Sequence, residues 1–163
     1  PICKQPAVEA GAYTLTPRLK ELRGAFVTLT RGGELRGCIG YVTPQVPLFQ
    51  AVADMAVNAA ARDPRFPPVT RDELRKLRIE ISVLSPLAPC PDPQTVQVGK
   101  HGLVIQKSGR SGLLLPQVPV EWGWDRRQFL EQICRKAGLP AGAYREPDAV
   151  LLTFTAVVFH EKE

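Results

Sequence analysis

The stretch "GAFVTLTRGGELRGCIGYV", Gly24 to Val42, decides the fold. "GAFVTLT" is a β-rich run. "RGGE" follows as a hairpin turn, because Gly32 and Gly33 can take the positive φ that two-residue hairpin loops require. "LRGCIGYV" then returns as the partner strand. On that strand a period of two predicts Arg36 and Cys38 on one face and Leu35 and Ile39 on the other. A guanidinium and a thiol would then look into the same space.

Working outward, "PLFQAVADMAVNAAARD" carries apolar residues at Leu48, Val52, Met55, Ala56 and Ala59, the spacing of a helix. Pro47 sits where a helix tolerates it and Pro64 stops it. An alanine-rich face predicts close approach to whatever it covers. "ARDPRFPP" is a proline-stiffened connection, and "TRDE" at Thr70–Glu73 reads as a capping box for one short turn. "RIEISVL" alternates cleanly as a third strand with Ile79, Ile81 and Val83 inward.

The proline-dense "SPLAPCPDPQ" marks a boundary between two lobes near residues 85–95 of a single domain spanning 1–163. Beyond it, "VQVGKHGLVIQ" and "GLLLPQV" flank "KSGRSG" as a second hairpin. "WGWDRRQFLEQICRKAGLP" predicts a helix capped by Asp125 with Gln128 three residues on. Its apolar stripe is Phe129, Leu130, Ile133, Cys134 and Ala137. The closing "AVLLTFTAVVFHE" is apolar on both faces and reads as one long central strand. Hairpins separated by single helices predict an α+β fold, two-lobed, with mainly antiparallel sheets and helices packed on them.

Composition narrows the function classes. Hydrophobic residues make up 44% and charged residues 23% of 163, a globular balance rather than a disordered one. The net charge of +5 comes mostly from scattered arginines, with no basic arm and few interleaved aromatics, so a nucleic-acid-associated role is the weaker alternative and a bland basic surface explains the same composition. The four cysteines, Cys3, Cys38, Cys90 and Cys134, lack the close spacing of a zinc or redox pair, so no metal is expected. With no leader-like or membrane-length run in the sequence, the expectation is a cytoplasmic protein with free thiols and no membrane association. "GRSG" lacks the second glycine of a nucleophile elbow, and no glycine loop carries the lysine of a phosphate loop. No cofactor is expected.

Cys38 is the chief candidate. The plainer reading is a buried filler between Gly37 and Gly40, in a strand that another segment crowds. The functional reading makes it a nucleophile, with Arg36 stabilising the thiolate and a histidine as base. His101, beside Gly102 at a hairpin mouth, fits that role better than His160 near the end of the chain. Arg62, Asp63 and Arg65 are either a solvated ion-pair cluster or a group reaching an anionic ligand. Trp122 and Trp124 either line a pocket or cap a core.

Several stretches together resemble the AMMECR domain family, also called AmmeMemoRadiSam system protein A. They are "GAFVTL", "LRGCIG", "DPRFPPVTRDEL", "IEISVLSPL", "VGKHGL", "LLLPQV", "WGWDRRQFLEQICRKAGLP" and the closing β run, in the family's order. The resemblance implies a two-lobed α+β protein with "LRGCIG" near a cleft between the lobes. It implies association with a Memo-like protein and a radical S-adenosylmethionine enzyme, without a settled activity. The family's motif residues fall on Arg36, Gly37, Cys38, Gly40, Asp63, Arg65, Phe66, Ser82, His101, Gly102, Pro116, Gln117, Trp124 and Lys136. Family members carry a helix before "GAFVTL", for which the segment up to Arg23 leaves little room. The expectation is a cleft in which Cys38 binds or captures a small molecule, or one that receives a peptide or partner loop without chemistry.

Overall fold

The computed structural model describes residues 11 and 13–161, so Cys3 lies outside the described residues. In chain order the described elements are β1 (Ala25–Arg31), β2 (Glu34–Tyr41), α1 (Leu48–Ala61), β3 (Leu77–Leu84), β4 (Ala88–Pro89), β5 (Gly102–Lys107), β6 (Arg110–Leu114), α2 (Val118–Glu121), α3 (Arg126–Lys136), β7 (Val150–Phe154) and β8 (Ala156–His160). They divide into two units, one running to Leu84 and resuming at Val157, the other spanning Ser85–Ala156. Both sheets have four strands, in the orders β2-β1-β3-β8 and β4-β7-β5-β6. No helix among the described residues is long and apolar enough to cross a membrane.

In the first unit Gly32 and Gly33 close the hairpin with φ of 61° and 85°. From that turn Arg31 faces Glu34 and Thr30 faces Leu35. The register then slips by one residue, so that Leu29 faces Gly37, Thr28 faces Cys38 and Val27 faces Ile39. Arg36 is the extra residue of a β-bulge. The strict alternation expected for this strand therefore fails: Ile39 packs on the core with Val27, whereas Leu35, opposite Thr30, is exposed. Without the bulge, counting from the turn would set Cys38 beside Val27 in the core. A slip of one residue turns every side chain beyond it to the other face.

α1 covers β1 and β2 and buries Leu48, Ala51, Met55 and Ala59. Its small face brings the backbones together, and a Cβ on Gly37 would overlap the carbonyl oxygen of Ala59. That explains the glycine before Cys38. Ile79 and Ile81 of β3 join the same core. Thr70–Glu73 forms a turn leading to a single 3-10 turn at Leu74–Lys76.

The second unit packs α3 on β5 and β6. Asp125 and Gln128 form the reciprocal capping box, and Gly138, with φ of 71°, ends the helix region. Leu103, Ile105, Phe129, Ile133 and Cys134 are fully buried in one core. Two expectations are corrected here. The strand expected from Val96 starts only at Gly102, because Gln97–His101 folds into a turn closed by the His101 N–H donating to the Gln97 carbonyl. The closing run is not one strand. It breaks at Thr155 into β7, central in the second sheet, and β8, an edge of the first.

Candidate functional site around Cys38

The bulge places Cys38 on the face of the first sheet turned away from α1. Antiparallel partners share a face, so Cys38, Thr28 and Glu80 form one row across β2, β1 and β3, and Gly40, Phe26 and Ser82 form the next. The Phe26 ring lies over Gly40, where a Cβ would overlap it. Cys38 is half-buried, and its Sγ accepts a hydrogen bond from Thr28 Oγ1 at 3.2 Å. Thr28 was not singled out by sequence. Counting residues from the glycine turn would have paired Val27 with Cys38, and nothing local announces the bulge except a charged residue in a strand.

β2 is the edge of its sheet, so its outer backbone groups need partners other than a strand. The connection after α1 supplies them. Cys38 N donates to Asp63 Oδ2 at 2.9 Å, and Arg65 Nη2 donates to the Cys38 carbonyl at 3.3 Å. Arg65 also grips Asp63 through Nε at 3.0 Å and Nη2 at 2.7 Å, while its own backbone N–H donates to Oδ1 at 3.0 Å. The guanidinium hydrogen bonds hold the Asp63 carboxyl far below the usual carboxylate range. Burial opposes this, and the two backbone donors add to it. Arg65 is held charged first by those bonds to Asp63 and, in smaller part, by the charge of Asp63. With 54% of its side chain exposed, Arg65 is a cation that solutes can reach beside the thiol.

Arg36 is engaged elsewhere. Its Nε and Nη2 donate to the two oxygens of Glu73 at 2.8 and 3.1 Å, and Nη1 donates to the Pro67 carbonyl at 2.9 Å. Glu73 also takes Arg31 at 2.7 Å and the backbone and hydroxyl of Thr70. These bonds, led by the one from Arg36, lower the Glu73 carboxyl to about 2. The bulge residue therefore ties the hairpin to the Thr70 turn. Arg62 is exposed at the C-terminal end of α1, and Ser82 is buried on the Cys38 face of β3.

His101, Gln117 and Trp124 belong to the second unit. His101 Nδ1 accepts the Gln97 backbone N–H at 3.1 Å, which leaves the proton of a neutral ring on Nε2. Burial, then the charge of Lys100, pushes this imidazole below its ordinary value. Gln117 leads into α2, and Trp124 rests against the second core, with the largely exposed Trp122 stacked on it at 6.0 Å between ring centroids. Cys90 and Cys134 are free thiols buried in that core. His160 is on β8, where its Nδ1 lies 3.3 Å from Glu80 Oε2. Among the described residues no group of three or more His, Cys, Asp or Glu side chains is placed to hold a metal ion.

The edge-strand thiol, its clamp and all of the two sheets but His160 lie within residues 3–159, which match the family model AMMECR1. The chain belongs to the AMMECR1 family. A protein of Thermococcus gammatolerans is 48% identical over 156 residues, covering 90% of this chain and 76% of the relative. One from Methanothermobacter thermautotrophicus is 45% identical over 148 residues, covering 87% and 77%. The crystal structure of protein PH0010 from Pyrococcus horikoshii superposes on this AMMECR1 chain with a TM-score of 0.84 at 45% identity, covering 90% of this chain and 77% of that one. These likenesses establish the α+β architecture. The reading of the site rests on its own residues.

Proposed function

We propose that this AMMECR1 chain performs thiol-dependent chemistry at Cys38, capturing the carbonyl or acyl carbon of a small molecule, in a pathway with a Memo-like protein and a radical S-adenosylmethionine enzyme. The observation that carries the reading is the hydrogen bond from Thr28 Oγ1 to the half-buried Cys38 Sγ. A hydroxyl donating to sulfur fixes its direction and offers a proton to the charge the sulfur carries when it attacks. Asp63 and Arg65 hold the backbone of that residue on both sides of its peptide. In the step, the thiolate pair forms the S–C bond and the carbonyl π pair moves to oxygen. A simple carbonyl then takes a proton from solvent. An acyl donor re-forms C=O and releases its leaving group with the bonding pair, leaving a thioester.

The test is peptide-resolved iodoacetamide labelling of the folded protein at fixed pH. Cys38 is labelled, and Thr28→Val slows that labelling about tenfold, the worth of one hydrogen bond to a charged group. Absence of labelling at Cys38 in the folded chain, or an unchanged rate in Thr28→Val, removes the nucleophile. A binding protein without chemistry is the second reading, favoured by Trp122, which is 70% exposed. On that reading Cys38→Ser keeps both partner binding and pathway output. On the thiol reading output is lost while folding and binding remain.

A further inference from the structure

The Cys38 face of the sheet mixes polar side chains with Phe26 and Leu35; it is exposed at Leu35 and Arg78 and only partly open to water at its centre. Phe26, Thr28, Thr30, Cys38 and Glu80 are all partly buried, and Ser82 is buried outright. Polar groups withdrawn from water need partners, so such a face asks what it is built to receive. Most charges around the thiol are already engaged. Arg65 is bonded to Asp63, and Glu73 is shared by Arg36 and Arg31. Glu80 differs: it sits on β3, an interior strand, and its Oε2 lies 3.3 Å from Nδ1 of the exposed His160 imidazole. Arg78, two residues earlier and opposite Thr30, is exposed. The row therefore reads thiol, hydroxyl, carboxylate, with the carboxylate two strand spacings, about 10 Å, from the thiol strand.

Resting on the thiol reading above, we infer that the substrate is a small carbonyl or acyl compound bearing a primary amine. Its reactive carbon meets Cys38 and its ammonium takes the place of His160 at Glu80. A half-buried carboxylate whose partner is an exposed ring gains by exchanging it for a compact cation. The hydroxyl of Thr28 lies along the line between the two ends, a surface for a short polar or methylene spacer rather than a bulky body.

Methanethiosulfonate reagents test this, because the thiolate attacks their sulfenyl sulfur, forms a disulfide and expels methanesulfinate with the bonding pair. The probes are an ammonium reagent on a five-carbon chain, the neutral pentyl reagent, and the two-carbon ammonium and ethyl pair. Each rate at Cys38 is divided by the reagent's rate with free cysteine. A cation in contact at about 4 Å in water gains about fivefold, and one acting across about 10 Å about twofold. The five-carbon ammonium is therefore expected to lead its neutral counterpart about fivefold, and the two-carbon pair to differ about twofold. Glu80→Gln abolishes the five-carbon advantage, and His160→Ala keeps or enlarges it. Equal rates for charged and neutral five-carbon reagents, an advantage that survives Glu80→Gln, or one that disappears in His160→Ala overturns the inference and leaves the thiol reading standing. No modification of Cys38 by any reagent overturns both.

Discussion

The two units bury their strands differently. Along β5 four consecutive residues, Gly102–Ile105, are buried, while β1 alternates fully buried residues with half-buried ones. The second unit thus spends its central strand on packing, with Phe129, Ile133 and Cys134 of α3 sealed against it. The first packs one face on α1 and keeps the other polar. Chemistry requires side chains that are held but still reachable, and the alternating strand supplies both conditions at once.

The largest effect that sharpens this contrast belongs to the second unit. Phe129 is fully buried, so Phe129→Ala is expected to cost about 3–5 kcal/mol in denaturant unfolding. Both tryptophans, Trp122 and Trp124, lie in that unit, so indole fluorescence reports it directly. Thr28→Val, on the half-buried face of β1, should move the unfolding midpoint far less while slowing the labelling of Cys38. If Thr28→Val destabilises as strongly as Phe129→Ala, the polar face is a core and the contrast collapses.

Gly37→Ala comes next. The added methyl meets backbone rather than a mobile side chain, so α1 or β2 must shift, at a cost of about 1–3 kcal/mol. The expected signature is faster amide hydrogen exchange in β2, including Cys38, as its seat loosens. A stability within about 0.5 kcal/mol of the parent would show that the helix yields freely and that this glycine does not govern the placement of the thiol.

What could be read from sequence was local. Gly32 with Gly33, Asp125 with Gln128, and the spacing of α1 each carry their instruction within a few residues. What escaped depends on partners far along the chain. The bulge at Arg36 is tied by Glu73, 37 residues away, and the open edge of Cys38 is closed by Asp63, 25 residues away. The break at Thr155 was hidden for another reason: "VLLTFTAVVFH" stays apolar across the change of sheet, so no alternation marks it. Cys38 itself stands out by its place between Gly37 and Gly40, but the face it occupies is set by a one-residue slip that hydrophobic pattern does not register.

Acid separates the two units by the pH range in which their shifted groups titrate, the smallest of the expected effects. Glu73 is lowered to about 2 from 4.5, and the Asp63 carboxyl lies lower still. Both therefore stabilise the first unit fully above the ordinary carboxylate range, and that contribution drains as pH falls from about 4.5 towards 2. His101 is also lowered, by burial first, so its contribution to the second unit is full above 6.5 and declines as pH falls through the imidazole range. Lowering pH from 7 to 5 should weaken the second unit slightly, by indole fluorescence, and leave the hydrogen-exchange protection factors of β1 and β2 unchanged. Glu73→Gln should flatten the acid limb of the first unit below about 4.5, because the variant has no proton to gain there, while lowering its stability at neutral pH. If the first unit instead loosens between pH 7 and 5 in step with the second, histidine and not the carboxylate clamp governs it, and Asp63 and Glu73 do not fix the strand that carries Cys38.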